Sequence, residues 1–153
     1  APYSAKGPTR FDRVIKPDLV APGHRLPSAE AAGSFFAASF TDRHVAGSGP
    51  HAYIALSGTS MAAGVASGVA ALVFDARPSL APTQVKALLQ LTSSHMPGEG
   101  FLTAGTGLIN AAAAVRATKP GADAATVIAG EAVRAYQVPL GSNGRPVMRA
   151  ALS

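Results

Sequence analysis

The stretch Tyr53-Ile54-Ala55-Leu56-Ser57-Gly58-Thr59-Ser60-Met61-Ala62-Ala63-Gly64 decides how the chain is read. Tyr53 to Leu56 is a short apolar run suited to a strand, and Ser57-Gly58-Thr59 carries turn chemistry. From about Ser60 to Ala76 the sequence is small or apolar nearly all round. Ala62, Ala63, Val65, Ala66, Val69, Ala70, Ala71, Leu72 and Val73 fall on every face, which predicts a buried rather than an amphipathic helix. Pro78 ends it. The order is therefore strand, sharp turn, helix, with a serine at the helix mouth. Unpaired backbone N–H groups and the positive end of the helix dipole favour an anionic intermediate there. Gly58 lets the backbone turn tightly. A lone serine before an apolar run is ordinarily an N-cap, so its surroundings must decide.

Upstream, Val14-Ile15 and Leu19-Val20-Ala21 flank Lys16-Pro17-Asp18 and close on Pro22-Gly23, which predicts a buried strand ended by a turn. Residues 24–50, rich in Ala, Gly, Ser and Pro, read as a surface excursion, with Ser34 to Phe40 as a candidate for one more short strand. Downstream, Pro82 suits a first helical position and Val85, Leu88, Leu89 and Leu91 form a 3.6-residue stripe. This predicts a helix from about Pro82 to Thr92 with Lys86 and Gln90 facing water. Gly105-Thr106-Gly107 reads as a turn before a third helix, Leu108 to Ala117. Lys119-Pro120-Gly121 reads as a boundary, dividing a domain at 1–117 from a linker or appended segment at 118–153. In that tail Thr126 to Ile128 and Val133 to Val138 are candidate strands around a turn at Gly141-Ser142-Asn143-Gly144.

Composition narrows the classes. With 153 residues, 48% hydrophobic content and a mean hydropathy of +0.23, the chain suits one globular domain and is too apolar for disorder. The apolar run Met61 to Phe74 is broken by Gly64, Ser67 and Gly68 and stops at Asp75, short of the roughly 18 residues of a membrane span, so no membrane partner is expected. The absence of cysteine excludes disulfides, zinc ribbons and thiol catalysis and leaves the compartment open. Ala1-Pro2-Tyr3-Ser4 shows neither an initiator Met nor a signal-peptide pattern, so the chain is expected to continue upstream. The net charge of +5 is scattered, with Lys6, Arg10, Arg13, Lys16 and Arg25 interleaved with Asp12 and Asp18. Nucleic-acid binding needs a denser basic patch and is not expected.

Gly58-Thr59-Ser60-Met61-Ala62-Ala63 resembles the nucleophile motif of subtilisin-like serine proteases. The segment Tyr3 to Thr9, followed by Ile15 to Gly23, is similar to the strand and turn that precede that motif in the family. Gly68, Ala70-Ala71-Leu72, the Pro78 to Leu89 helix and Gly105 to Ala112 follow in the family's order. The second glycine of G-x-S-x-G and any S-x-x-K are absent, which removes the α/β-hydrolase and β-lactamase readings.

The resemblance implies an α/β, three-layer fold with a mostly parallel sheet, present here only as its C-terminal portion. It also implies a serine endopeptidase acting on proteins or peptides through an acyl-enzyme, in a secreted, bacterial parent. Ser60 becomes the nucleophile and a backbone oxyanion donor, with Gly58, Thr59, Met61 and Gly64 as its neighbours. The family's catalytic Asp and His and its oxyanion Asn lie N-terminal to the region matched here. The fragment alone is therefore expected to be inactive and to need the N-terminal part of its own domain as a partner. No organic or redox cofactor is implied, and calcium is compatible with the parent.

His24, His44, His51 and His95 match no catalytic position of the family and are expected to face solvent, with no metal site. Asp18 matches a position near a weak cation site in some relatives, although a carboxylate beside a Pro-rich turn more often makes local hydrogen bonds. Two departures stand out: the loop between Gly23 and Tyr53 is longer than in the simplest members, and Gly64 stands where the motif normally has proline. A non-catalytic binding or scaffold domain on the same fold is the rival reading. A helical interaction module fits less well, because an Ala-rich helix needs a sheet to cover it.

Overall fold

The computed structural model describes residues 1–119 and two strands at 125–128 and 131–134. Its contacts fall into two units, Ala1–Ser4 with Ala21–Val65, and Ala5–Val20 with Ala66–Ser153.

In the first unit β1 (Leu26–Ala29), β3 (Tyr53–Leu56) and β2 (His44–Ala46) form an antiparallel sheet in the order β1-β3-β2. The β1–β3 register runs from Leu26↔Leu56 to Ala29↔Tyr53. Glu30 N–H donates to the Ala52 carbonyl at 2.8 Å and closes the far end of the ladder. Ile54 of β3 is buried, as is Ala52 just before that strand. β3 falls where the sequence predicts it, but the 24–50 excursion holds two strands and a helix that its composition hides. Ser34 to Phe40 is not a strand: α1 spans Phe35–Ser39, and Ser34 Oγ accepts from Ala37 N–H at 3.2 Å as an N-cap. Phe36 and Phe40, four residues apart, stack at 5.9 Å between centroids, a pairing that helical spacing provides.

The helix α2 (Thr59–Ala76) opens in the first unit and continues into the second. The second unit also holds α3 (Pro82–Leu91), α4 (Phe101–Ala104) and α5 (Ala111–Ala117). Val69, Val73, Leu80, Val85, Leu88, Leu89, Ala104, Ile109 and Ala114 are its buried apolar residues. α3 starts at Pro82 as expected, with the Gln84 side chain accepting from Ala81 N–H at 2.7 Å. α5 starts later than expected, because Leu108 bridges both Val20 and Ser94 and Asn110 caps the helix by accepting from Ala113 N–H at 2.9 Å.

Three expectations need correction. The buried strand around Val14 to Val20 does not form: Val14 and Ile15 are 45% and 62% exposed. Thr9 N–H donates to the Val14 carbonyl and Val14 N–H to Thr9 Oγ1, so this segment turns back on itself. Val20 keeps one isolated parallel bridge to Leu108. Gln90 does not face water; its Nε2 donates to Asp18 Oδ1 at 3.2 Å. And α2, predicted to be buried, has only Val69 and Val73 buried, with Leu72 52% exposed. By length and a mean hydropathy of 1.4 this helix could cross a membrane, a test that the core helix of a soluble protein also passes.

Outside the sheet of the first unit, β4 (Ala125–Ile128) and β5 (Glu131–Arg134) pair antiparallel from Ala125↔Arg134 to Ile128↔Glu131. The second strand thus lies slightly before the predicted Val133 to Val138. The predicted turn at Gly141 to Gly144, and most of the predicted boundary at Lys119-Pro120-Gly121, lie outside the described residues. The described residues hold helices and small antiparallel sheets, and the expected mostly parallel sheet is not seen among them.

Candidate active site

β3 delivers the chain to Ser57 and Gly58, and α2 begins one residue later. Gly58 N–H donates to the Gly23 carbonyl at 2.8 Å, while the Gly58 carbonyl accepts from Met61 N–H at 3.2 Å and Ala62 N–H at 3.3 Å. Helix geometry leaves the N–H groups of Thr59 and Ser60 without an intrahelical acceptor. Thr59 and Ser60 are both exposed, and Met61 is half-buried with its sulfur close to Gly58. Gly64 lies one turn further along, exposed, and a Cβ there would meet nothing within 4 Å. The five residues singled out in the sequence therefore converge on one helix mouth.

A hydroxyl beside unpaired backbone donors can present an oxygen to an electrophile and stabilise the anion that forms. Among the described residues no hydrogen bond joins a histidine or carboxylate to Ser60. His44 Nδ1 lies 2.9 Å from Glu30 Oε2, His24 Nδ1 lies 3.3 Å from Ser57 Oγ, and all four histidines are exposed.

The contacts of residues 23–25 and Ser57 are what sequence reading missed. Arg25 N–H donates to Ser57 Oγ at 2.8 Å, and Tyr3 Oη donates to the Gly23 carbonyl at 3.2 Å. Pro22-Gly23 signalled a turn, but nothing local signals its partner some thirty residues away.

Asp18 was the candidate for a cation. Its carboxylate is instead taken by the Lys16 ammonium, by Lys86 Nζ at 3.0 Å and by the Gln90 amide at 3.2 Å. The Lys16 hydrogen bond, helped by Lys86, holds the carboxyl below its ordinary range against a smaller opposing effect of burial. A carboxylate already matched by two ammonium groups does not fit a calcium ion. Among the described residues no three His, Asp or Glu side chains converge as a metal site would need. In the same unit an open groove of about 640 Å³ runs between α2 and α3, lined by Ala66, Ala70, Phe74, Val85 and Leu89 with Asp18 at its edge.

The site is thus an exposed serine where a strand and a glycine turn lead into a helix. Residues 1–130 match the model of the subtilase family, peptidase S8. The chain is 33% identical over 111 residues to the serine protease AprX of Bacillus subtilis, covering 72% of this chain and 24% of that protein. It is 36% identical over 104 residues to the subtilisin-like protease SBT2.6 of Arabidopsis thaliana, covering 64% of this chain and 12% of that protein. It is 29% identical over 107 residues to the CO(2)-response secreted protease of the same plant, covering 69% of this chain and 13% of that protein. The chain thus spans between about an eighth and a quarter of these relatives. It belongs to the subtilase family, a family of serine proteases.

Proposed function

We propose that this chain is the C-terminal part of the catalytic domain of a subtilisin-like serine endopeptidase, with Ser60 as its nucleophile. The observation that carries the reading is the exposure of Ser60 at the opening of α2, within a segment matched to the family. In this mechanism Ser60 Oγ attacks the scissile carbonyl carbon, and its proton passes to a histidine supplied by the domain's N-terminal part. The carbonyl oxygen becomes an oxyanion beside the Ser60 N–H and an asparagine from that same part. The amine leaves with the proton, and water hydrolyses the acyl-enzyme. No organic cofactor is required. Calcium in the parent would be held by residues other than Asp18.

The complete domain would have the family's three layers and mostly parallel sheet, and the apolar, exposed faces of α2 support a covering layer beyond this chain. Secretion fits a relative whose name describes a secreted protease. The test is made in the protein that carries the complete domain. A fluorophosphonate is expected to label Ser60, and Ser60→Ala is expected to leave only a residual rate of peptide hydrolysis. Hydrolysis at the wild-type rate in Ser60→Ala would overturn the reading. Absence of Asp, His and Asn segments from the upstream coding sequence would favour a non-catalytic domain instead.

A further inference from the structure

The β1–β3 ladder ends at Leu26↔Leu56, yet two more rungs continue it to the helix mouth. One is the backbone bond from Gly58 N–H to the Gly23 carbonyl, at 2.8 Å. The other is made by a side chain, Arg25 N–H to Ser57 Oγ, also at 2.8 Å. The approach is close. A Cβ on Gly23 would stand 2.6 Å from the Gly58 carbonyl oxygen and 2.9 Å from Ala62 Cβ. A backbone rung survives substitution, whereas the Arg25 rung exists only because residue 57 carries a hydroxyl on its Cβ.

We infer that Ser57 is a positioning residue for Ser60, an inference that rests on the reading of Ser60 as nucleophile. Ser57 touches no reacting group and acts through its neighbour. By accepting from Arg25 N–H it ties residue 57 to the 23–25 segment, next to Gly58, whose carbonyl receives Met61 N–H and Ala62 N–H. Those bonds set the first turn of α2, and with it the direction of the Ser60 N–H and side chain. The His24 ring, 3.3 Å from the same Oγ, accepts the hydroxyl proton when its Nδ1 is unprotonated, leaving the oxygen's lone pairs to Arg25. Small errors in such an arrangement are amplified, because reactive geometry tolerates little displacement.

The experiment compares Ser57→Ala, Ser57→Thr, His24→Ala and Ser60→Ala in the protein with the complete catalytic domain. Ser57→Ala is expected to lower kcat about tenfold with KM changed less than about twofold, because only the reacting geometry is disturbed. Fluorophosphonate labelling of Ser60 should slow in parallel. Ser57→Thr, which keeps the hydroxyl, should recover most of the rate, and His24→Ala, which spares the Arg25 bond, should lose less than Ser57→Ala. A lower melting temperature with kcat per folded molecule unchanged, a threonine variant as slow as alanine, or a larger loss in His24→Ala would each overturn the role. The two readings fail separately. Wild-type hydrolysis in Ser60→Ala removes the nucleophile assignment, whereas an inactive Ser60→Ala beside a fully active Ser57→Ala removes only the role of Ser57.

Discussion

Single residues divide sharply by how far away their partners lie. Asp18 reads in sequence as a carboxylate in a Pro-rich turn, and its acceptance of Lys16 fits that local expectation. Its bonds to Lys86 and Gln90, and the bonds of its carbonyl with the Thr106 N–H and hydroxyl, come from residues far along the chain. They make Asp18 a clasp between the 16–20 segment, α3 and the Gly105-Thr106-Gly107 turn. Gly105 has to be glycine here: at φ +59° its Cβ would stand 2.3 Å from the carbonyl oxygens of Pro17 and Asp18. Because the carboxyl is held below its ordinary value, its stabilising effect is complete above the unfolded-chain value, near pH 4, and disappears as pH falls through the lower folded value. The side chain is 31% exposed, so solvent limits the effect to about 1 kcal/mol or less. Asp18→Asn should therefore melt lower than the wild type by a constant gap above about pH 5, and the gap should close on acidification below about pH 4. A gap independent of pH across that window would show that the ion pairs contribute nothing.

Elements were legible wherever composition or period was strong over several turns. α2 and α3 fall within a residue or so of their expected bounds, since one is uniformly small and apolar and the other has a clear stripe opened by Pro82. β1 and β2 are four and three residues long, mostly exposed and without alternation, so no periodic signal existed to find them. The strand expected near Val14 failed for another reason: apolar residues were present, but their backbone groups are committed to Thr9. Of the candidate site, Gly58 and Ser60 were singled out through the family resemblance of Gly58 to Ala63, while the strap at residues 23–25 depends on a pairing that no local pattern records.

Gly64 is the element-scale test of α2. As an exposed helical glycine it adds backbone freedom one turn beyond Ser60, and helical spacing lets its N–H reach the Ser60 carbonyl. Proline at this position cannot make that bond and restrains the first turn. In the complete enzyme Gly64→Pro is expected to raise the acylation rate several-fold, where about 1.4 kcal/mol of better positioning would be tenfold. Gly64→Ala, which rigidifies by about 0.5–1 kcal/mol but keeps the bond, should raise stability with a smaller gain in rate. An unchanged or lower kcat/KM in a folded Gly64→Pro variant would show that the glycine is compensated elsewhere.

At the scale of the whole chain, what the sequence promised as a core helix is a helix with only Val69 and Val73 buried and with Ala63, Ala71, Leu72 and Ala76 exposed. Only 11% of the 18 residues of α2 are buried, and Leu72, Phe101 and Leu102 are exposed in the same unit. Apolar surface of this extent drives association when nothing else covers it. The isolated chain is therefore expected to self-associate or to bind a hydrophobic dye, and to melt without a single sharp transition. Sedimentation and amide exchange check this: a monomer with one cooperative melt and strong protection across β3 and α2 would contradict it. The same chain is expected to show no peptide hydrolysis, because a neutral serine hydroxyl without a base is a poor nucleophile.

The hydrogen bond from Glu30 to Ala52 has a consequence for how this family member could be altered. It seals the ladder at the end away from Ser60, where the chain leaves β1 for the 31–51 excursion and returns into β3. Residues can be added or removed beyond that seal without sliding the rungs on the other side. For an engineer, the exposed turn Ala31-Ala32-Gly33, between β1 and α1, is a graft port: a foreign recognition loop or an affinity tag placed there would ride on the chain while leaving the geometry at the mouth of α2 as it stands.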